Sequence, residues 1–157
     1  MDYWAIETPI GWAELHGDTN GLSVIKIVDE QPEVSGSIPE ALIEVSIQLK
    51  DYFNNNRTSF DLSINPDGTS FEKRVWQELS KIPFGKTLSY LELSKKLGNS
   101  KAIRAVARAN GKNPLWVVIP CHRVIGSDGS LTGYAGGLHR KEWLLRHEGA
   151  IKQQSLF

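Results

Sequence analysis

Ser89-Tyr90-Leu91-Glu92-Leu93-Ser94-Lys95-Lys96-Leu97-Gly98, followed by Asn99-Ser100-Lys101-Ala102-Ile103-Arg104-Ala105-Val106-Ala107-Arg108-Ala109-Asn110-Gly111, is the stretch that decides the fold. Ser89 and Glu92 have the Ser-x-x-Glu spacing of a capping box, in which each side chain satisfies the other residue's backbone N–H. A short helix is therefore expected from there to Gly98. After a turn of a few residues, a second helix is expected from about Lys101 to Ala109, with Gly111 as its C-cap. Two short helices joined in this way form a helix-turn-helix. On the second helix Lys101, Arg104 and Arg108 fall at i, i+3 and i+7 and share a face, while Ile103 and Val106 point to a core. The small residues Ala105 and Ala109 leave room for a duplex to come close to that face.

Upstream, Thr69-x-x-Glu72 is another capping box and opens a helix with Phe71, Val75, Leu79 and Ile82 as its apolar stripe, stopped by Pro83. Before it, Asn65-Pro66-Asp67-Gly68 is a turn sequence and marks a boundary in charge. Residues 1–70 carry three Lys/Arg against twelve Asp/Glu, and residues 71–157 carry fifteen against six, so a formal net charge of zero hides two halves of opposite sign. The basic half is a candidate for binding nucleic acid. In the acidic half, Tyr3 to Glu7 and Gly21 to Val28 alternate apolar and polar around turn residues, as strands of a small antiparallel sheet do. Ser37-Ile38-Pro39-Glu40 reads as a capping box before a helix with Leu42, Val45, Leu49 and Phe53 on one face, and Phe60 to Ile64 reads as a short strand.

Downstream, Leu115 to Ile119 reads as a buried strand, Val124 to Tyr134 as a hairpin or wing centred on Ser127-Asp128-Gly129, and Leu138 to His147 as a last helix ended by Gly149. The fold class expected is α+β: a small amino-terminal sheet-and-helix domain over residues 1–68 and a carboxy-terminal winged helix-turn-helix domain over residues 69–157. The single cysteine, Cys121, excludes an internal disulfide and a multi-thiolate zinc site, and fits a cytosolic protein. The amino terminus lacks the basic and apolar regions of a signal peptide, and no apolar run approaches the roughly 20 residues that cross a bilayer. No metal or cofactor is expected. His16 and His139 match no motif and are expected at the surface.

Taken alone, Cys121 is a weak signal, because a lone cysteine is usually a small buried hydrophobe. On an extended chain its neighbour His122 would point to the opposite side, which disfavours a direct Cys-His dyad. Ile119-Pro120-Cys121-His122-Arg123-Val124, however, resembles the active-site signature of the alkylguanine-DNA alkyltransferases, the methylated-DNA–protein-cysteine methyltransferases. The resemblance extends to Phe84-Gly85, Ser89-Tyr90, Arg104-Ala105-Val106, Asn110, Asn113-Pro114, Tyr134, Gly136-Gly137, Lys141-Glu142-Trp143-Leu144-Leu145 and His147-Glu148-Gly149. It covers nearly all of residues 71–149, whereas residues 1–70 match only loosely, as an acidic ribonuclease-H-like cap.

The resemblance implies irreversible transfer of an alkyl group from O6-alkylguanine in double-stranded DNA to Cys121, by a monomer that everts the damaged nucleotide. It makes Cys121 the nucleophile, His122 the acceptor of the thiol proton through a water, Glu148 the group that orients His122, and Tyr90 the acid that protonates the departing base. A free thiol of pKa about 8.5 is about 3% ionised at pH 7, so full ionisation supplies at most about 30-fold, and the leaving group must also be helped. The resemblance further implies a base pocket of Asn113, Val124, Tyr134, Ala135 and Lys141. Arg104 would fill the gap left by the everted base, with Lys101, Ala105, Arg108 and Arg123 at the DNA. Two alternatives stand beside this reading: a lesion-binding alkyltransferase-like protein without transfer chemistry, and a winged-helix transcription regulator.

Overall fold

The structure, a computed structural model, describes residues 1–151. It divides into two compact units, one formed by Met1–Gly68 with Pro114–Val118, the other by Thr69–Asn113 with the chain from Ile119 onward. The segment 114–118, expected in the second domain, therefore belongs to the first unit. The last residues of the expected second domain, 152–157, lie outside the described residues. The architecture is mixed α and β.

In the first unit, β1 (Asp2–Thr8), β2 (Gly11–Asp18) and β3 (Gly21–Val28) form an antiparallel meander in the order β1-β2-β3, with an irregularity between His16 and Gly17. Alternation buries Ala13 and Leu15 on β2 and Ile25 and Ile27 on β3. Helix α1 (Glu40–Phe53) contacts all three strands and buries Leu42, Val45, Leu49 and Tyr52. Gly17 permits this close approach, since a Cβ there would meet Leu42 Cδ2 at 3.3 Å and the Leu22 Cα at 3.1 Å.

Two expectations for this unit are corrected. The capping box at Ser37 does not form, because α1 begins at Glu40 with Pro39 as its cap; a residue before proline is disfavoured in the helical region, which keeps Ile38 out of the helix. Nor is 60–64 a strand, since only Ile64 makes a bridge, to Leu22. The Gln48 side chain takes the place of a pairing strand there: its Nε2 donates to the Asp61 carbonyl and its Oε1 accepts from the Asp61 N–H, each at 2.9 Å.

In the second unit, α2 (Ser70–Leu79) and α3 (Tyr90–Lys96) both start in fully formed capping boxes, at Thr69 with Glu72 and at Ser89 with Glu92. Helix α4 (Ile103–Gly111) packs against both of them. Trp76 fixes the packing through its indole N–H, which donates to the Ala109 carbonyl at 2.9 Å. Helix α4 starts later than expected, because the Asn99 side chain accepts the Lys101 N–H at 3.0 Å and its carbonyl accepts the Ala102 N–H at 3.1 Å, holding Lys101 in a turn. Val106 is buried as expected. Ile103, assigned to the core, is instead 37% exposed, while Ala109, assigned to the open face, is buried.

In the apolar run 115–119, Leu115, Val117 and Ile119 are buried and Trp116 and Val118 half-buried, but the run is not a strand. Leu115 makes one parallel bridge with Ile25, and then the chain turns tightly. Val117 has φ +73°, and the Val118 N–H donates to the Trp116 carbonyl at 2.9 Å, a γ-turn of the strained hand that a β-branched residue rarely adopts. Pro120, with φ −82° and ψ 62°, makes a relaxed inverse γ-turn, closed by the Cys121 N–H donating to the Ile119 carbonyl at 2.8 Å. The wing hairpin is absent as well. The two-residue strand β5 (Val124–Ile125) pairs in parallel with β4 (Leu88–Ser89), and Gly126 to Ser130 closes as a turn. Helix α5 (Leu138–His147) matches its expected limits, and Gly149, at φ +73°, ends it.

Substituting Gln48 by Met keeps the volume of the buried side chain but orphans both backbone groups of Asp61. We expect the unfolding free energy to fall by about 2–3 kcal/mol, read as a lower urea midpoint at unchanged slope. A midpoint shift within error would show that water replaces the amide without cost.

Candidate active site

The sequence 121–123 winds into a single 3-10 turn between Pro120 and β5, and buries all three of its residues. This turn corrects the extended chain assumed from sequence. Cys121 keeps 4% of its surface exposed. Around it, Asn113 donates from Nδ2 to the Ile119 carbonyl at 2.8 Å, and Asn110, at the end of α4, donates to the Cys121 carbonyl at 3.4 Å. These two amides fix the backbone that carries the sulfur. Asn110 was quoted in the sequence pattern but given no role there.

Behind the cysteine lies a buried ionic cluster. Glu148, the C-cap of α5, accepts from His122 Nε2 at 2.8 Å, from Arg123 Nε at 2.7 Å and from Arg123 Nη2 at 2.9 Å. Arg123 Nη1 donates to the Ile82 carbonyl at 2.6 Å, and the guanidinium lies 5.9 Å from the Phe84 ring centre. Gly85, at φ +83°, is needed beside this cluster, since a Cβ there would crowd the Glu148 carbonyl at 3.2 Å. Arg123 is thus corrected from a DNA contact to a buried structural cation, 6% exposed. Its partner is 25 residues away in sequence, and no local pattern announces it.

The electrostatics follow from this packing. Burial raises Glu148, but hydrogen bonds and charge from His122 and Arg123 outweigh it and hold the carboxyl well below its ordinary range. Burial lowers His122 and is only partly offset by Glu148. The imidazole is therefore neutral at neutral pH, with Nε2–H given to the carboxylate. Its Nδ1 is buried and makes no hydrogen bond in the structure, so it is the nitrogen able to accept a proton. Cys121 is pushed up to about 11 by burial, against the pull of the Asn113 hydrogen bond and the Lys141 charge. The resting sulfur is a thiol, and the ionised form has to be made during reaction.

Tyr90, the first residue of α3, donates its hydroxyl to the Thr132 carbonyl at 3.1 Å. Its pKa is raised, mainly by burial, so at neutral pH it holds a proton to give. Lys141 is fully buried and donates to the Val124 carbonyl at 2.6 Å and to the Thr132 carbonyl at 2.8 Å. Tyr134 is half-buried, and burial holds its hydroxyl well above its ordinary pKa; Ala135 is exposed in the same glycine-rich loop. The structure thus gathers Cys121, His122, Glu148, Tyr90, Asn113, Val124 and Lys141 within one unit. On α4, Arg104, Ala105 and Arg108 are exposed on the outer face, and Lys101 is exposed in the preceding turn.

A thiol next in sequence to a neutral histidine, a protonated tyrosine in the same unit and exposed cations on and before α4 fit a cysteine transferase that acts at DNA. The comparisons agree with this class: the DNA-binding domain of 6-O-methylguanine DNA methyltransferase matches residues 70–150. The methylated-DNA–protein-cysteine methyltransferase of Methanosarcina acetivorans is 44% identical over 96% of this chain and 99% of its own. That of Mycolicibacterium paratuberculosis is 42% identical over 99% of this chain and 97% of its own. The crystal structure of the Mycobacterium tuberculosis O6-methylguanine methyltransferase superposes with TM-score 0.84 at 39% identity, covering 98% of this chain and 96% of that one. This chain belongs to the methylated-DNA–protein-cysteine methyltransferase family.

Two measurements probe the site. With the thiol at about 11, the rate of Cys121 alkylation by iodoacetamide should climb about tenfold per pH unit from about pH 7 to 9 without a plateau; levelling off near neutral pH would mean the thiolate is already formed. Arg123→Met, which leaves Glu148 charged and unpaired, should cost about 3–5 kcal/mol in urea unfolding. Adding Glu148→Gln should recover part of that loss, and no recovery would remove the charge argument.

Proposed function

We propose that the chain repairs DNA by direct reversal, taking the alkyl group of O6-alkylguanine once and irreversibly onto Cys121. The observation that carries this reading is the company one thiol keeps: its neighbour His122 has a buried Nδ1 with no hydrogen bond, able to accept a proton, and Tyr90, close enough for charge on Cys121 to raise its pKa, holds a proton to give. Those two functions are what transfer from a poor leaving group to a weak acid requires.

The atoms balance as follows. The Cys121 proton passes to His122 Nδ1 through a bridging water, and Glu148 stabilises the imidazolium formed. The sulfur attacks the alkyl carbon; the S–C bond forms as the C–O6 bond breaks, and the electron pair moves into the purine. The Tyr90 proton goes to a ring nitrogen, so the base departs as neutral guanine. The proton on His122 returns to Tyr90 through solvent, and the thioether remains. No step restores the thiol, so each molecule acts once.

The substrate must leave the stack to reach a nearly enclosed sulfur, at a cost of a few kcal/mol that is smallest for a mispaired lesion. We read α3 and α4 as a helix-turn-helix whose exposed Arg104 fills the gap, with Ala105 permitting close approach and Lys101 and Arg108 on phosphates. The loop from Gly126 to Tyr134 takes the place of a wing, and the acidic first unit acts as a ribonuclease-H-like cap. Val124, Ala135 and Tyr134 line the base pocket, with Asn113 bracing the turn. Affinity carried by lysine and arginine on phosphate is salt-sensitive and weakly sequence-dependent, unlike that of a regulator. Among the described residues no helix is long and apolar enough to cross a membrane. We read the protein as a cytosolic monomer.

Incubation with an O6-methylguanine oligonucleotide should raise the intact mass by one methylene and leave Cys121 blocked. An unchanged mass with an accessible thiol would reduce the protein to a lesion binder. Cys121→Ala should abolish transfer and keep DNA binding. Arg104→Ala should slow repair in duplex DNA about tenfold or more while sparing reaction with free O6-benzylguanine; equal slowing of both would refute its role in eversion.

A further inference from the structure

Lys141 is a fully buried cation of the second unit that donates to two neutral groups, the Val124 carbonyl at 2.6 Å and the Thr132 carbonyl at 2.8 Å. A lysine this deeply enclosed is costly, and burial lowers its pKa to about 8. The fold tolerates that cost at a site between the active-site turn and the glycine-rich loop. The Thr132 carbonyl has a second donor, the Tyr90 hydroxyl at 3.1 Å, and the lysine Nζ sits 5.8 Å from the Tyr90 ring centre. One oxygen thus holds both the ammonium and the hydroxyl assigned to proton donation.

This shared acceptor creates a problem and its solution. To protonate an incoming base, Tyr90 must withdraw its hydroxyl from the Thr132 carbonyl; Thr132 is exposed in the free protein, but once a base covers it and excludes water, a carbonyl left without a donor carries a desolvation penalty. A carbonyl oxygen has two lone pairs, so it accepts two donors at once. With Lys141 in place, Thr132 keeps a donor when the tyrosine turns away.

We propose that Lys141 is a positioning residue of the transfer reaction, acting as the standing donor to the Thr132 carbonyl that frees the Tyr90 hydroxyl for the everted base. The same ammonium holds the Val124 carbonyl, so it ties the residue following the active-site turn to the loop that faces Tyr90. The proposal rests on the reading of Tyr90 as the general acid. It assigns Lys141 no proton transfer of its own.

The test is a double-variant cycle on the full chain, with single-turnover reaction of free O6-benzylguanine as the readout. Lys141→Met should lower the limiting rate by about tenfold to a hundredfold while changing the half-saturating concentration much less. In a Tyr90→Phe background, where no hydroxyl has to be released, the same substitution should cost less than about threefold. Lys141→Arg, which keeps charge and donors, should recover part of the rate. Equal losses in the two backgrounds would mean that Lys141 only holds the fold, and would overturn the proposal. If Tyr90→Phe by itself leaves the limiting rate unchanged, the general-acid reading fails first and the proposal falls with it. Should Lys141→Met not fold, NMR of the ammonium in Cys121→Ala protein decides: a slowly exchanging Lys141 signal that persists when O6-methylguanine binds supports the standing donor, and its loss on binding overturns it.

Discussion

The carboxylate of Glu148 is the group on which the rest of the second unit leans. A buried carboxylate is expensive unless its oxygens are filled by charged or strongly polar donors. Here the Arg123 fork supplies two N–H groups and His122 a third. The third arm of the guanidinium then reaches the Ile82 carbonyl. A single ionic knot therefore joins the end of α5, the active-site turn and the segment after α2. Its cost also accounts for the chemistry. A carboxylate already neutralised by Arg123 does not pull the proton off His122, but it fixes Nε2 as the protonated nitrogen and leaves Nδ1 unprotonated. Arg123 thus separates two roles that one carboxylate would otherwise confuse: structural counter-ion and orienter of the imidazole.

The strain at Val117 belongs to the same design problem. A chain that has to present Cys121 on a tight turn cannot arrive as a regular strand, because strand geometry would send Cys121 and His122 to opposite faces. Two γ-turns and a 3-10 turn within residues 116–123 redirect it. Holding Val117 at φ +73° costs on the order of 1–3 kcal/mol, which the packing of its buried side chain offsets. Asn110 and Asn113 then act as braces, since tight turns leave carbonyls that a strand would have paired.

Local chemistry was legible in the sequence, and long-range electrostatics was not. The capping boxes at Thr69 and Ser89 and the whole span of α5 could be read because their partners lie three or four residues away. Ser37 had the same spacing and failed, because Pro39 vetoes the helical conformation of its predecessor. The run 115–119 was apolar for burial, and a short apolar run does not reveal whether its backbone is paired. The Gln48 amide that satisfies Asp61 is a tertiary contact and leaves no local trace. At the site, residue types alone left Cys121 a weak signal, and it was the resemblance to the alkyltransferase signature that implied Cys121, His122, Glu148 and Tyr90. Arg123 was misread because a cation in a basic half looks like a surface contact until its buried partner is seen.

The raised thiol pKa sets the character of the reaction. Relative to an exposed thiol at about 8.5, a value of about 11 removes about 300-fold of the thiolate at neutral pH, while the greater basicity returns only about tenfold in nucleophilicity. At rest the sulfur is therefore less reactive than free cysteine. For a protein that acts once, this is protection: small electrophiles in solution meet a neutral, nearly enclosed thiol. Reactivity has to come from the bound state; in the reading proposed above, His122 removes the proton as the carbon arrives and Tyr90 protonates the departing ring. Both transfers are driven by a substrate that fills the site and excludes water, which strengthens each electrostatic contact in it. Discrimination between a lesion in DNA and a stray alkylating agent then follows from burial itself, without a separate recognition step for the alkyl group.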